Sequence, residues 1–301
     1  MVEELSAQDG NTSTNAQPLT RFHPSRFENY RYAYPVVSRR ARGVSVGVNL
    51  SPTRLCNYRC VYCQVARDGG KKNVENRVDV AVLKSEALEI ARSVLDGSLF
   101  HTERFAPTPE SRRVLRDFAF SGDGEPTLAP QFAEVVDALV DARNSLDYPA
   151  LKLVLITNAT RLRAPEVADA LDRLVDARGE IWAKLDAVDD ATLREYNRST
   201  IPFETVLDNI RFAAQRWTIK IQTALFSWRG VAPDQKNAEK YVDTLNRLLT
   251  AGGKIAAVQL YTVARVPAES AAQALSDEEM DRRAEFVRRE TGLDVEVFYS
   301  K

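Results

Sequence analysis

From Val44 onward, short runs dense in β-branched and aliphatic residues alternate with longer stretches whose apolar positions recur every three or four residues. The short runs predict strands over Val44–Leu50, Leu115–Ser121, Leu151–Thr157, Glu180–Asp186, Thr218–Phe226, Ile255–Val263 and Leu293–Phe298. The longer stretches predict helices over Val80–Leu95, Pro130–Arg143, Pro165–Val175, Phe203–Gln215, Asn237–Thr250 and Asp277–Arg289, with Gly252 and Gly253 stopping the fifth. Strict alternation implies a parallel sheet with right-handed crossovers. Six strand–helix units rather than eight imply an open barrel, so the expected fold class is α/β, a partial (β/α)6 TIM-type barrel over residues 44–301. No internal repeat is present. Residues 1–20, rich in Ser, Thr, Asn and Gln, read as a disordered tail, and residues 21–43 as a basic N-terminal arm. The arm's Arg21, Arg26, Arg31, Arg39, Arg40 and Arg42 read as a solvated face or as a lid or phosphate-binding arm.

In such a barrel the active face lies at the C-terminal ends of the strands, and the unusual residues collect there. Cys56–Cys63 follow the first strand, Gly122-Asp-Gly-Glu-Pro126 ends the second, and Thr157 and Asn158 end the third. Period-two alternation sets Trp182, Lys184 and Asp186 on one face of the fourth strand and Ile181, Ala183 and Leu185 on the other. The apolar face packs on helices, so the polar face is the lumen. By the same reasoning Gln222, Gln259, Tyr261 and Arg265 are candidates for a substrate pocket, and Lys184 and Asp186 for ligand contacts or a structural ion pair. A polar lumen implies a polar ligand; the guanidinium of Arg265 suits a carboxylate or a phosphate.

Charge adds little to this picture: 41 Lys and Arg against 42 Asp and Glu give a net charge of −1 over 301 residues. A nucleic-acid partner such as tRNA is neither signalled nor excluded. The lack of a long apolar run and the polar first residues argue against membrane insertion and secretion.

The cysteines narrow the chemistry. All three, Cys56, Cys60 and Cys63, lie within eight residues, an odd and clustered set that points to metal ligation in a reducing compartment, the cytoplasm. Only His23 and His101 could complete a tetrahedral zinc site, and neither sits at zinc-finger spacing. An iron–sulfur cluster held by three thiolates, leaving one iron open, is the better reading; zinc, or three buried thiols without metal, are the alternatives.

Cys56-Asn-Tyr-Arg-Cys60-Val-Tyr62-Cys63 has the CxxxCxxC spacing, with an aromatic residue before the last cysteine, of the radical S-adenosylmethionine (radical SAM) superfamily, which the chain resembles. Ser121-Gly-Asp-Gly-Glu-Pro126 is similar to the superfamily's Gly-Gly-Glu-type element, Asp123 replacing one glycine. With Gly47–Pro52, Leu155–Asn158, Lys184–Asp186, Ile221–Thr223 and Val258–Thr262 followed by Arg265, the chain resembles the branch grouped with the wybutosine-synthesis enzymes and molybdopterin biosynthesis protein A, over residues 35–270.

The resemblance implies that Cys56, Cys60 and Cys63 hold a single [4Fe-4S] cluster whose open iron chelates SAM, and that reductive cleavage yields a 5′-deoxyadenosyl radical that takes hydrogen from a substrate. It implies SAM contacts from Tyr62 near adenine, from Gly122, Asp123, Gly124 and Glu125 near the methionine amino group, and from Asn158, Lys184 and Asp186; the alternatives are a tight strand-to-helix turn for the glycines, core packing beside the cluster for Tyr62 and a helix cap for Asn158. A side chain added at Gly124 would then intrude on SAM and leave the cluster assembled. The implied partners are a one-electron reductant such as flavodoxin or ferredoxin and a small-molecule or nucleotide substrate. No side chain is given a catalytic role beyond the cluster. With every cysteine committed, none remains for an auxiliary cluster. The function class that competes is a non-catalytic iron–sulfur or zinc-binding protein that uses the barrel to bind a partner.

Overall fold

A computed structural model of the chain describes residue 27 and residues 29–65 and 75–300. The expected tail over 1–20 and residues 21–26 of the expected arm lie outside these. The main sheet has eight strands, β1 (Ala33–Ser38), β2 (Gly43–Val48), β3 (Leu115–Phe120), β4 (Lys152–Thr157), β5 (Glu180–Lys184), β6 (Thr218–Ala224), β8 (Lys254–Tyr261) and β10 (Val295–Phe298). They lie side by side in chain order, β7 (Phe226–Trp228) and β9 (Ala272–Ala274) forming a separate antiparallel pair. From β2 to β10 every neighbouring pair is parallel. This is the expected α/β partial barrel, a curled half-barrel sheet.

Its helices are α1 (Val80–Leu95), α2 (Phe132–Ser145), α3 (Pro165–Asp176), a single turn α4 (Asp190–Thr192), α5 (Phe203–Arg216), α6 (Gln235–Thr250) and α7 (Asp277–Thr291). Apolar residues of the outward strand faces, such as Phe118, Phe120, Leu153, Leu155, Ile181 and Ile221, form one core with helix residues such as Leu83, Leu139, Leu171 and Leu245. The period-two assignment of the fourth predicted strand holds: Ile181, Ala183 and Leu185 enter this core.

Residues 33–38, within the stretch read as an arm, form β1, which runs antiparallel to β2 and pairs Pro35 with Val46. Pro35 has no N–H to give a second neighbour, which suits an edge. The strand is tied down by Glu86 of α1, a buried carboxylate that accepts the backbone N–H groups of Arg31, Tyr32 and Ala33 at 2.8–3.0 Å. Tyr34 of β1 lies over Gly47 of β2, where a Cβ would come within 2.4 Å of the tyrosine ring. Arg39, in the β1–β2 turn, donates to the carbonyl of Tyr299 just beyond β10, so the two edges of the sheet approach each other there. The fifth predicted strand, Thr218–Phe226, is two elements: β6 ends at Ala224 and the chain passes through Leu225 into β7.

Candidate functional site

The segment after β2 crosses the C-terminal mouth of the sheet and carries the three cysteines. All three are half-buried and line one cavity of about 200 Å³ with Tyr62, Gly122, Gly124, Glu125, Asn158, Lys184 and Tyr261. The segment is held from two sides. Arg59 and Val61 donate backbone N–H groups to the carbonyls of Asn197 and Tyr196, each at 2.8 Å, and Glu269 donates to the carbonyl of Val61 at 3.1 Å. Val61 and Tyr62 also pack with Ala224, Phe226, Trp228 and Ala272 in a small second core built on the β7–β9 pair. The Nδ2 of Asn197 donates to Cys60 Sγ at 3.2 Å. Burial pushes the Cys60 thiol up to about 12, against the pull of the Lys184 ammonium.

The glycine-rich turn after β3 faces the cysteines, and both of its glycines have local reasons. Gly122 has φ +143°, in the region that disfavours a side chain, and a Cβ there would meet Asn49 at 2.8 Å. At Gly124 a Cβ would lie 2.0 Å from the Leu55 carbonyl oxygen and 2.6 Å from Ser51. The close approach is thus made to the cysteine segment of the chain itself, so a side chain at Gly124 would displace that segment first. Asp123 is held through Asn49, whose Nδ2 donates to its carboxylate at 3.0 Å and whose Oδ1 accepts the Asp123 N–H at 3.3 Å.

Glu125 is 3% exposed. Its Oε1 accepts the hydroxyls of Thr127 and Thr157, each at 2.6 Å, and its Oε2 accepts the N–H of Asn158 at 2.7 Å. One carboxylate therefore joins the ends of β3 and β4. Burial raises its pKa, and the bonds from Asn158, Thr127 and Thr157 oppose that shift. Asn158 extends the tie by donating from Nδ2 to Asn57 Oδ1 at 2.7 Å, which reaches the cysteine segment. It caps no helix, since α3 begins at Pro165.

Lys184 sits between two tyrosines, donating to Tyr261 Oη at 3.1 Å and lying 5.0 Å from the centre of the Tyr62 ring. Burial alone would push its pKa down, but Tyr261, Asp186 and Cys60 outweigh burial and raise it, so it stays a cation. The Tyr62 hydroxyl donates to Asp186, whose other oxygen accepts the Ala224 N–H at 2.8 Å. Asp186 thus braces Tyr62 from behind and does not line the cavity. Beside Lys184 in the strand register, Gln222 donates to Gln259 at 2.8 Å, and Gln259 donates to Glu296 at 2.8 Å. Gln222 and Gln259 are buried in this network and line neither chamber. Arg265 lies elsewhere, in a second chamber of about 160 Å³ that shares Arg40, Gln64, Ser121, Ile156 and Tyr261 with the first.

Sequence reasoning did not single out Asn49, Asn197 or Thr127, and it placed Thr157 at a strand end without seeing its bond to Glu125. Asn197 lies in a widened helical turn after α4, outside any motif, and only the fold brings it to Cys60. Asn49 is the next-to-last residue of the predicted strand Val44–Leu50, a strand-end position that could have drawn attention to it.

Three thiols and a glycine turn thus meet across one cavity at the C-terminal mouth of an α/β half-barrel. The family comparison is specific: the sequence model of the Radical SAM superfamily matches residues 50–227, and the chain belongs to that superfamily. A UPF0026 protein of Methanocaldococcus jannaschii is 31% identical over 164 residues, 54% of this chain and 43% of the relative. A protein of Brachyspira hyodysenteriae named GTPase Obg is 22% identical over 276 residues, 91% of this chain. The chain spans 36% of that protein's length, so it covers less than half of each of these two relatives. Among solved structures, a radical SAM methyltransferase from Sphaerobacter thermophilus is similar in fold, with a TM-score of 0.60 at 15% identity, covering 88% of this chain and 69% of that one. TYW1 with a lysine-pyruvate adduct bound gives 0.52 at 17% identity, covering 83% and 74%. Among the described residues no helix is long and apolar enough to cross a membrane.

Proposed function

We propose that this chain is a radical SAM enzyme that holds one [4Fe-4S] cluster on Cys56, Cys60 and Cys63 and binds SAM in the first chamber. The observation that carries this reading is the single cavity lined at once by the three thiols, the glycine turn and Lys184. The donor set fits a cluster better than one ion. A zinc site needs its sulfurs about 2.3 Å from a common centre, whereas a cluster takes each thiolate on a different iron. Among the described residues no three His, Cys, Asp or Glu side chains are grouped around one ion.

When bound, cluster and SAM supply one electron and a 5′-deoxyadenosyl radical that abstracts hydrogen. The residues of this chain bind, orient and exclude. Glu125, a buried carboxyl group in the cavity wall, suits an ammonium group near it, and the backbone of Gly122 leaves room for a close neighbour. Tyr62, fixed by Asp186, presents its ring to the chamber, a surface for the adenine. Lys184 supplies a cation for a carboxylate or the ribose oxygens. Gln222 and Gln259 stiffen the layer beside Lys184. A one-electron reductant such as flavodoxin or ferredoxin completes the system, and a cytoplasmic setting suits three clustered thiols.

Anaerobic reconstitution with iron and sulfide is the test. About four irons per chain, lost in Cys56→Ala, Cys60→Ala and Cys63→Ala, together with 5′-deoxyadenosine formed from SAM and dithionite, are the expected results. One zinc and no iron per chain would refute the cluster. Four irons without SAM cleavage would favour a non-catalytic iron–sulfur protein.

A further inference from the structure

Tyr58 stands two residues from Cys56 and two from Cys60 and lines the first chamber with them. Its backbone N–H donates to Cys56 Sγ at 3.4 Å, and its ring packs into the main core. Among the described residues four tyrosines are buried, Tyr34, Tyr58, Tyr62 and Tyr241. Three of the four hydroxyls are bonded to a side chain: Tyr34 to Ser121, Tyr62 to Asp186 and Tyr241 to Thr223. The hydroxyl of Tyr58, a residue 3% exposed, has no hydrogen-bond partner among the described residues. A buried hydroxyl without a partner is costly, and such a group in a cavity wall is completed by what fills the cavity.

The surroundings of that hydroxyl narrow what completes it. Burial, and then the charges of Cys60, Asp186, Glu125 and Cys56, push its pKa up, so it enters any contact as a donor. Three of these four groups, Cys60, Glu125 and Cys56, line the chamber with it, which puts the hydroxyl end on the chamber side. Neither carboxylate is its acceptor: Asp186 takes Tyr62, Asn197 and the Ala224 N–H, and Glu125 takes Thr127, Thr157 and the Asn158 N–H. The missing acceptor therefore belongs to a ligand at the cysteine end of the chamber. An amino acid carries its carboxylate on the same carbon as its ammonium, so an ammonium drawn to Glu125 brings two acceptor oxygens into the same corner. Carboxylate oxygens take hydroxyl donors in short, strong hydrogen bonds.

We propose that Tyr58 is a SAM-binding residue whose hydroxyl donates a hydrogen bond to the amino-acid carboxylate of SAM and so fixes the end of the cofactor that meets the cluster. This rests on the reading of the first chamber as the SAM site. A sulfur of the cluster, a trapped water and another oxygen of SAM are the competing acceptors, and the test separates them.

The test compares the reconstituted full chain with Tyr58→Phe, which removes one oxygen and keeps the ring in the core. Iron content checks that the cluster is held. Equilibrium dialysis on the oxidised protein gives SAM affinity without cleavage, and an EPR-monitored titration gives the cluster potential without SAM. SAM labelled with ¹⁷O in its carboxylate, read by ENDOR after cryoreduction of the frozen complex, reports on the carboxylate itself. The proposal expects SAM affinity to fall at least about tenfold, iron content and potential to stay as they are, and the ¹⁷O coupling to change. Unchanged affinity leaves the hydroxyl to a water and overturns the proposal. A potential that shifts without SAM puts the hydroxyl on a cluster sulfur, and lowered affinity with an unchanged coupling puts it on another part of SAM; either overturns the proposal. Should Tyr58→Phe lose its iron, Tyr58→Met carries the same measurements, and loss of iron in both assigns the residue to cluster retention, which also overturns the proposal. Failure of the parent chain to bind SAM, or to show any ¹⁷O coupling, overturns the reading of the first chamber instead.

Discussion

Asp117 offers the sharpest quantitative test of the lumen. It lies on the inward face of β3, opposite Ser45 of β2, is 4% exposed, and its Oδ1 has no hydrogen-bond partner. Burial pushes its pKa from 3.8 up to about 6; Glu180 adds to the rise, while the Ser45 hydroxyl, Arg40 and Lys152 oppose it. A shift of about 2 units at 1.36 kcal/mol each means that ionising Asp117 costs the native state about 3 kcal/mol. The sign follows from proton counts. Between about pH 4 and pH 6 the native carboxyl holds a proton that the unfolded one has lost, so this group makes stability fall as pH rises. Below 3.8 the penalty is absent, and above about 6 it is complete. Asp117→Asn cannot ionise, so the variant should gain about 3 kcal/mol on the parent in going from pH 4 to pH 8. Any fixed cost of placing an amide there cancels in that comparison. Urea unfolding of both cluster-free proteins at the two pH values, followed by circular dichroism, measures it. A difference between parent and variant that does not change with pH, or one that grows toward low pH, would refute the argument from burial.

Two further predictions concern the cysteine segment. Gly124→Ala puts a methyl group 2.0 Å from the Leu55 carbonyl, so iron incorporation should drop and the chain should lose about 1–3 kcal/mol of stability; full iron loading with an unchanged urea midpoint would show that the segment yields freely. Asn197→Leu removes the N–H donor to Cys60 Sγ, a bond that strengthens as the reduced cluster gains charge. A differential of about 1 kcal/mol corresponds to about 40 mV, so an EPR-monitored redox titration should find the variant's potential lower by about that much, and an unmoved or raised potential would contradict it.

The alternation of strands and helices was legible in the chain because both periodicities are local: each parallel strand is apolar on the face it gives to the helices, and each helix carries a matching stripe. The same holds for the CxxxCxxC spacing, which is a property of eight consecutive residues. β1 was not legible, because Pro35 and the neighbouring arginines disguise an edge strand whose pairing is fixed by Glu86, some fifty residues away.

Tertiary structure alone decided the division of labour in the lumen. Alternation placed Lys184, Gln222, Gln259 and Tyr261 on one side of the sheet, but their depth depends on the register between strands. That register sets Lys184, Gln222, Gln259 and Glu296 side by side in one layer, in which the two glutamines and Glu296 bond to one another, while Tyr261 lies one step further toward the cavity and the longer Lys184 side chain reaches up to its hydroxyl. Gly124 likewise needed the fold to show that its neighbour is Leu55. Arg39 and Arg40 read in sequence as part of a charged surface run, and only the curl that brings β1 and β10 toward each other turns them inward. Local pattern determines which face a residue takes; which layer it occupies, and beside what, is settled by contacts between segments that the chain's order keeps far apart.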